Sequence, residues 1–202
     1  MRALPPGGTP ARIGPNAVNR LAEALHARHG PAVAAEVFGA AGVARHLRQP
    51  PTGMVDEAEV ARLHRALRDR LAGGEAASVA RDAGQRTADY LLAHRIPAAV
   101  QGLLKRLPAP WAARVLLAAI GRHAWTFAGS GRFEARAGHP VVLTIRGNPL
   151  CTGVSSPVPV CDFYAATFER LFRVLVHRDT RVSETACEAQ GAPACRFELR
   201  WR

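Results

Sequence analysis

The chain has 202 residues, which is long enough to bury one sizeable core, and its 48% hydrophobic and 21% charged residues exclude an intrinsically disordered protein. The formal net charge is +11 at pH 7, which favours anionic partners such as nucleic acid, anionic lipid, acidic proteins or ligands that carry carboxylates. All the cations except Lys105 are arginine, a skew that a GC-rich genome also produces, so only the net charge indicates a partner.

The first 15 residues predict a flexible tail, because they contain four prolines and no sustained periodicity. Prolines and glycines also stand where a signal peptide has its apolar segment. The apolar stretch from 115 to 120 is far shorter than the roughly 20 residues that cross a bilayer. We therefore expect a cytoplasmic protein, with peripheral contact to a membrane left open. In that reducing compartment the four cysteines are expected to be thiols or metal ligands rather than disulfides.

Residues 16–124 predict a helical subdomain. Apolar residues recur at helical spacing from Asn16 onward, and the sequence QPPTG at 49–53 breaks the pattern. The next helix begins at Asp56, a good N-cap with Glu59 three residues later, and a further helix spans about 75–94. Two shorter helices follow Pro97 and Pro108 and end near residue 123.

Residues 125–202 predict a second unit with the order ββαββ. Strands are expected over 126–136 and 141–146, an amphipathic helix over 161–177, and strands over 181–188 and 194–201. The fold class is therefore α/β of the α+β type: a helical subdomain followed by a four-stranded antiparallel sheet with one long helix packed on it.

Positive charge is concentrated between residues 91 and 160, where eight basic residues face a single acid, Glu134. Either this is an ordinary solvated face or it is a surface that attracts anions. Nucleic acid is disfavoured as the partner, because the sequence has neither helix-turn-helix spacing nor an aromatic RNA-binding pattern.

Three cysteines and a glutamate have the spacing C-x22-E-x2-C-x7-C, at Cys161, Glu184, Cys187 and Cys195. Cys187 and Cys195 are each four residues from the turn at Gly191, and Cys161 begins the long helix, so the set can converge on a closed, structural Zn²⁺ site. Alternatively, these are buried thiols without a ligand.

Glu184 presents a geometric problem for this metal site. On an ideal strand Glu184 and Cys187 point to opposite faces, so a bulge or strand end near residue 185 is required. Cys151 is the substitute ligand if Glu184 turns away. A closed four-ligand set leaves no open position for water, which argues against a catalytic role.

The runs CDFYAATFERLFRVLV and ETACEAQGAPACRFEL resemble the 4-vinyl reductase domain family, and the cysteine and glutamate spacing resembles that of its zinc-binding members. The runs ADYLLAHRIPAAVQGLLKRLP and HAWTFAGSGRFEA extend the resemblance to bacteriochlorophyll-biosynthesis proteins of purple photosynthetic bacteria, over nearly the full chain. The resemblance implies a fold shared with the family's sensor domains and with small vesicle-tethering subunits, a homodimer and a small-molecule pocket. It assigns the metal-ligand role to Cys161, Glu184, Cys187 and Cys195, but not to Cys151.

The family name implies reduction of a vinyl group on a chlorophyll precursor, which requires a nicotinamide, flavin or iron–sulfur donor. The sequence has no G-x-G-x-x-G at the start of a helix and no clustered Cys-x-x-Cys. We therefore expect a tetrapyrrole-binding accessory protein that carries a magnesium porphyrin or chlorophyllide to other bacteriochlorophyll-biosynthesis enzymes. The alternative is a vinyl reductase with an external or partner-supplied electron donor, so the sequence leaves open whether the protein is an enzyme. A ligand-sensing regulator is disfavoured, because 202 residues leave no room for ATPase and DNA-binding domains.

Four residues are candidates for contacts to the tetrapyrrole: Arg122, His123, Trp125 and Phe127. Arginine pairs with propionate carboxylates and aromatic rings pack on the macrocycle, while His123 is a candidate axial ligand to magnesium. The alternative for His123 is ordinary packing and local hydrogen bonding at a helix-to-strand junction. The protein is expected near the photosynthetic membrane if the basic segment also contacts anionic lipid.

Overall fold

The computed structural model describes residues 11–202, so most of the expected N-terminal tail lies outside the described residues. The described chain begins with the short strand β1 (Arg12–Ile13), which pairs antiparallel with β2 (Val55–Asp56). Ile13 is almost fully buried, so the chain is anchored to the core from this point.

Eight helices follow the predicted order: α1 (Asn16–Ala40), α2 (Arg45–Arg48), α3 (Glu57–Arg70), α4 (Gly73–His94), α5 (Ala98–Leu104), α6 (Ala109–Arg122), α7 (Trp125–Ala128) and α8 (Asp162–Leu175). The predicted N-cap of α3 is confirmed, since the Asp56 carboxylate accepts a hydrogen bond of 2.8 Å from the backbone N–H of Ala58. Helix α1 is interrupted at Gly30, whose φ of 80° suits glycine, and Pro31 starts its second segment. Within residues 11–202, no helix combines the length and apolar character needed to cross a bilayer.

The remaining strands form one antiparallel sheet in the order β3-β4-β6-β5, with bounds β3 (Arg132–Arg136), β4 (Val141–Arg146), β5 (Arg181–Ala186) and β6 (Cys195–Arg200). The central strands bury alternate side chains, as the period-two pattern predicts: Val141, Leu143, Ile145, Cys195, Phe197 and Leu199. The ββαββ order and the α+β class are therefore confirmed.

Helix α8 lies between the sheet and α4. Phe168 packs edge-to-face on Phe197 of β6, with 5.6 Å between ring centroids. On the other side of α8, the Thr167 hydroxyl donates a hydrogen bond of 3.1 Å to the Gly84 carbonyl oxygen of α4. The helix is thus buried on two faces, which explains why its central residues, from Phe163 to Phe168, are all buried.

The predicted strand over 126–136 is wrong in its first half. Residues 125–128 form the helical turn α7, which the Thr126 hydroxyl stabilises by donating a 2.7 Å hydrogen bond to the His123 carbonyl oxygen. Gly129 then takes a φ of 57°, and strand β3 starts only at Arg132. The Glu57 carboxylate holds this bend by accepting hydrogen bonds from the backbone N–H and the hydroxyl of Ser130. Such a contact from a distant helix has no local sequence pattern.

Candidate functional site

Four buried cysteine thiols meet at one place in the structure: Cys151, Cys161, Cys187 and Cys195. The Cys151 sulfur lies 3.4 Å from that of Cys161, 3.7 Å from that of Cys187 and 3.5 Å from that of Cys195. The Cys161 sulfur lies 4.0 Å from that of Cys187 and 3.5 Å from that of Cys195. These separations exclude disulfides, whose sulfurs are about 2.05 Å apart, and leave a compact set of four soft donors.

Three chain segments supply the four thiols. Cys161 is the N-cap residue of α8, while Cys187 follows β5 and Cys195 begins β6. The turn between the two strands closes at Gly191, whose left-handed φ of 85° suits glycine. Cys151 comes from a 3₁₀ turn, Pro149–Cys151, between β4 and α8. The predicted approach of the hairpin cysteines to the start of the long helix is therefore observed, with Cys151 added.

Helix α3 holds the turn that carries Cys151, an arrangement that the sequence did not predict. Arg68 donates a 3.0 Å hydrogen bond to the Leu150 carbonyl oxygen, and Arg65 donates one of 2.6 Å to that of Thr152. Burial lowers the pKa of Arg68, and the nearby sulfurs of Cys151 and Cys161 oppose that shift. These contacts link residues more than 80 positions apart, so spacing within the cysteine motif contains no trace of them.

Hydrogen-bond donors surround the sulfurs. The buried Asn148 side-chain N–H₂ lies 3.2 Å from the Cys161 sulfur, and the Glu188 backbone N–H donates to the Cys195 sulfur at 3.4 Å. Hydrogen bonds to the other thiols, and then burial, raise the pKa of Cys161, while hydrogen bonds from Cys151 and Cys161 lower the pKa of Cys195. The cluster therefore contains thiols that differ in how readily they ionise, as metal-binding cysteine sets do.

Glu184 lies against the cysteine cluster but outside it. The register of β5 against β6 shifts between Glu184 and Ala186, which is the bulge that the strand parity required. One carboxylate oxygen of Glu184 accepts a 2.9 Å hydrogen bond from the Cys161 backbone N–H. Burial raises the pKa of this carboxyl to about 9 even though that hydrogen bond opposes the shift. Its other oxygen is buried and has no hydrogen-bond partner among residues 11–202.

The four residues expected to contact a tetrapyrrole lie at the end of α6 and in α7. Arg122, His123 and Trp125 are exposed, and the His123 Nδ1 lies 2.9 Å from the Ala119 carbonyl oxygen. That contact places the ring proton on Nδ1 and leaves the lone pair on Nε2. Phe127 is half-buried, with its ring centroid 5.2 Å from that of Phe133. The four residues do not surround one enclosed space.

An open groove of about 340 Å³ lies next to these residues, between α6 and strand β3. Its residues recur at helical spacing along α6 and at every second position from β3 onward: Arg114, Leu117, Ala118, Gly121, Phe133, Ala135 and Ala137. Most of these side chains are small. The Arg114 guanidinium stacks over the Trp111 ring at 5.5 Å, and this contact positions its charge at the groove.

A larger depression of about 500 Å³ lies at the other side of the helical region, beside β2 and the start of α3. Its charged groups are paired with one another, because Glu59 forms ion pairs with Arg45 and His46. Burial raises the pKa of Glu59, but the hydrogen bonds from these partners lower it by more. The depression is therefore less suited to an anionic ligand than the α6–β3 groove.

Solved structures with the same fold include H-NOX proteins. One from S. oneidensis in the Fe(II)NO ligation state superposes with a TM-score of 0.56 and 14% identity, covering 94% of this chain and 99% of that one. An unliganded Fe(II) H-NOX mutant from K. algicida superposes with a TM-score of 0.58 and 9% identity, covering 93% and 96%. At such low identity the likeness concerns the fold.

Sequence comparisons give a more specific result. The family model of the vinyl-4-reductase domain matches residues 141–201, which include all four cysteines. The "Bacteriochlorophyll synthase 23 kDa chain" of Cereibacter sphaeroides is 50% identical over 93% of this chain and 90% of its own length. The protein of the same name from Rhodobacter capsulatus is 39% identical over 93% and 86%. With this identity over almost the whole length, the chain belongs to the family of the bacteriochlorophyll synthase 23 kDa chain and carries a vinyl-4-reductase domain.

Proposed function

We propose that this protein binds a tetrapyrrole intermediate of bacteriochlorophyll biosynthesis, a magnesium porphyrin or chlorophyllide, and holds it for other enzymes of that pathway. The names of its relatives support the pathway, and the H-NOX fold is one in which related chains hold heme, another tetrapyrrole. The observation that carries the proposal is the open groove between α6 and β3, with small side chains along it and a cation at it.

The shape of the groove fits a flat ligand. Small residues of α6, Ala118 and Gly121, face Ala135 of β3, so the helix and the strand leave a slot between them. A β-carbon added at Gly121 would meet no atom within 4 Å, which means that the slot is open there. Phe133 supplies an aromatic wall on which a macrocycle can stack.

The charge around the groove fits the carboxylates of the ligand. Arg114 lines the groove and Arg122 is exposed one residue beyond Gly121. Guanidinium groups bind carboxylates through paired, charge-assisted hydrogen bonds, so these two side chains would orient a propionate. The free Nε2 of His123 is the candidate ligand to magnesium at the end of α6.

The cysteine cluster has a structural role in this proposal. Four thiolates suit Zn²⁺, and a fully coordinated ion joins the start of α8 to the terminal hairpin. The ion stabilises the domain that carries the groove and takes no part in ligand chemistry.

The exposed apolar side chains of α5 to α7 support a position at an anionic membrane surface: Val100, Leu103, Trp111, Val115 and Trp125. Trp111 and Trp125 are each 60% exposed, and exposed tryptophan is typical of membrane interfaces. Cations accompany them throughout the segment 91–160. Apolar side chains together with basic charge are the features that bind peripheral proteins to anionic lipid.

An absorbance titration of the purified protein with magnesium protoporphyrin tests the proposal. We expect saturable binding at one site, and a 10- to 100-fold weaker Kd for Arg114→Glu, from a loss of roughly 1.5–3 kcal/mol for a hydrogen bond to a charged group. Arg178→Glu is the matched control, because Arg178 is 90% exposed and lies in the loop between α8 and β5. No binding, or equal weakening by both variants, would contradict the groove as the site.

A second arm of the same experiment distinguishes the carrier from the reductase. A divinyl chlorophyllide precursor is incubated with the protein and reduced nicotinamide, and the products are analysed for vinyl reduction. Binding without reduction, with and without a lysate as the source of an electron donor, supports the carrier. Reduction by the isolated protein would identify a vinyl reductase with a hydride site that lacks a recognisable nucleotide-binding sequence.

A further inference from the structure

We infer that the metal centre is a four-thiolate site completed by Cys151, with Glu184 outside the coordination shell. This differs from the ligand set that the family resemblance implies, in which Glu184 is the fourth ligand. The inference concerns the metal alone and does not depend on the tetrapyrrole.

The sulfur positions fit one tetrahedral ion. With a metal–sulfur distance of about 2.3 Å, the sulfurs at the corners of a tetrahedron are about 3.8 Å apart. The Cys151 sulfur lies 3.4, 3.7 and 3.5 Å from the other three, so it occupies a corner of that size. The enclosed space accommodates a single ion, whereas an iron–sulfur cluster would need room for several metal and sulfide atoms.

Glu184 has another partner in the same structure. Its carboxylate accepts the backbone N–H of Cys161, which is an unpaired donor at the first turn of α8. If Glu184 became a ligand instead of Cys151, the buried Cys151 thiol would remain in contact with the Cys161 sulfur and would have no role. A carboxylate that orients a ligand residue through its backbone is a typical outer-shell group.

The identity of the fourth ligand changes what the ion holds together. The Cys151 turn is bound to α3 by Arg65 and Arg68. With Cys151 as a ligand, the ion links that turn, the start of α8 and the terminal hairpin. With Glu184 as a ligand, the ion links only α8 and the hairpin. The four-thiolate centre thus ties the sheet to the turn against which the helical region packs.

X-ray absorption of the full-length, zinc-loaded protein tests the inference directly. We expect four sulfur neighbours at about 2.3 Å and no oxygen neighbour. Three sulfurs with one oxygen, or a protein that binds no zinc, would overturn it. Because this measurement uses the wild-type chain, it gives an answer even if a cysteine variant fails to fold.

Two matched variants provide an independent readout by competition with a zinc chelator. Cys151→Ser removes the proposed ligand, and we expect zinc affinity to fall by more than about 100-fold, since losses in the outer shell alone reach that size. Glu184→Gln keeps an acceptor for the Cys161 N–H, so we expect a change of less than about 10-fold. The reverse order, with Glu184→Gln losing the metal and Cys151→Ser keeping it, would overturn the inference. Cobalt-substituted protein should show thiolate charge-transfer absorbance that decreases in Cys151→Ser and persists in Glu184→Gln.

Discussion

Replacing Gly84 with alanine tests how closely α4 and α8 must approach each other. A β-carbon at Gly84 would overlap the Phe163 carbonyl oxygen, and it would lie 3.0 Å from the Ala166 β-carbon and 3.1 Å from the Phe163 carbonyl carbon. Two of these three atoms belong to backbone, which cannot turn away as a side chain can. The helices must therefore separate by about 1 Å, a gap that forfeits a quarter to a half of each dispersion contact across the interface.

We expect Gly84→Ala to lower the free energy of unfolding by about 2 kcal/mol. Overpacking of a core costs roughly 1–3 kcal/mol, and contact with rigid backbone places this site at or above the upper end. The higher helix propensity of alanine returns up to about 1 kcal/mol. For a chain of this length, the net loss corresponds to a decrease of roughly 4–8 °C in Tm, which differential scanning calorimetry resolves.

Gly74→Ala is the matched control in the same helix, because its added β-carbon would meet no atom within 4 Å. We expect the control to be neutral or up to about 1 kcal/mol more stable. Equal Tm values for the two variants would refute the reasoning that α4 and α8 touch through their backbones at Gly84.

Two further predictions concern a buried histidine and the exposed apolar surface. Burial, assisted by Arg68, lowers the pKa of His64 to about 3 from 6.5, so the unfolded chain binds the extra proton and stability is lost as the pH falls below about 6.5. Urea unfolding should show wild type losing about 2 kcal/mol more than His64→Gln between pH 7.5 and 5, and equal losses would refute this account. Trp111→Ala combined with Val115→Ala should weaken co-sedimentation with vesicles of anionic lipid by at least about 10-fold, because both exposed apolar side chains lie on one face of α6. The double variant should leave the Tm within about 2 °C, and undiminished vesicle binding would exclude this surface as the membrane contact.

The helices and most strands could be predicted because their causes are local. The cap at Asp56 and the apolar stripe that follows it define α3, and the prolines at 97 and 108 precede α5 and α6. The strand expected from residue 126 failed because α7 is held by non-local contacts. The Tyr164 hydroxyl donates to the Phe127 carbonyl oxygen at 2.7 Å, and Glu57 holds the bend at Ser130.

The candidate site was predictable in part for the same reason. The hairpin turn and the helix start predict the approach of three cysteines, and strand parity predicts the bulge at Glu184. The position of Cys151 depends on where its turn docks on α3, and that docking is decided by arginines more than 80 residues away. The α6–β3 groove likewise arises from two segments that have ordinary sequences and acquire a shape only when they are packed together.

Helix α8 connects the cysteine cluster to the proposed ligand groove. Its N-cap residue, Cys161, belongs to the cluster, and one turn later Tyr164 holds the backbone of Phe127. One turn further, the Phe168 ring lies 6.3 Å from that of Phe133, which lines the groove. An ion bound to Cys161 would fix the end of a helix whose next two turns support the aromatic wall of the groove. The metal can therefore influence ligand binding through the position of α8 without contacting the ligand, and a family in which the cysteines serve structure is consistent with a domain whose chemistry is supplied by what it binds.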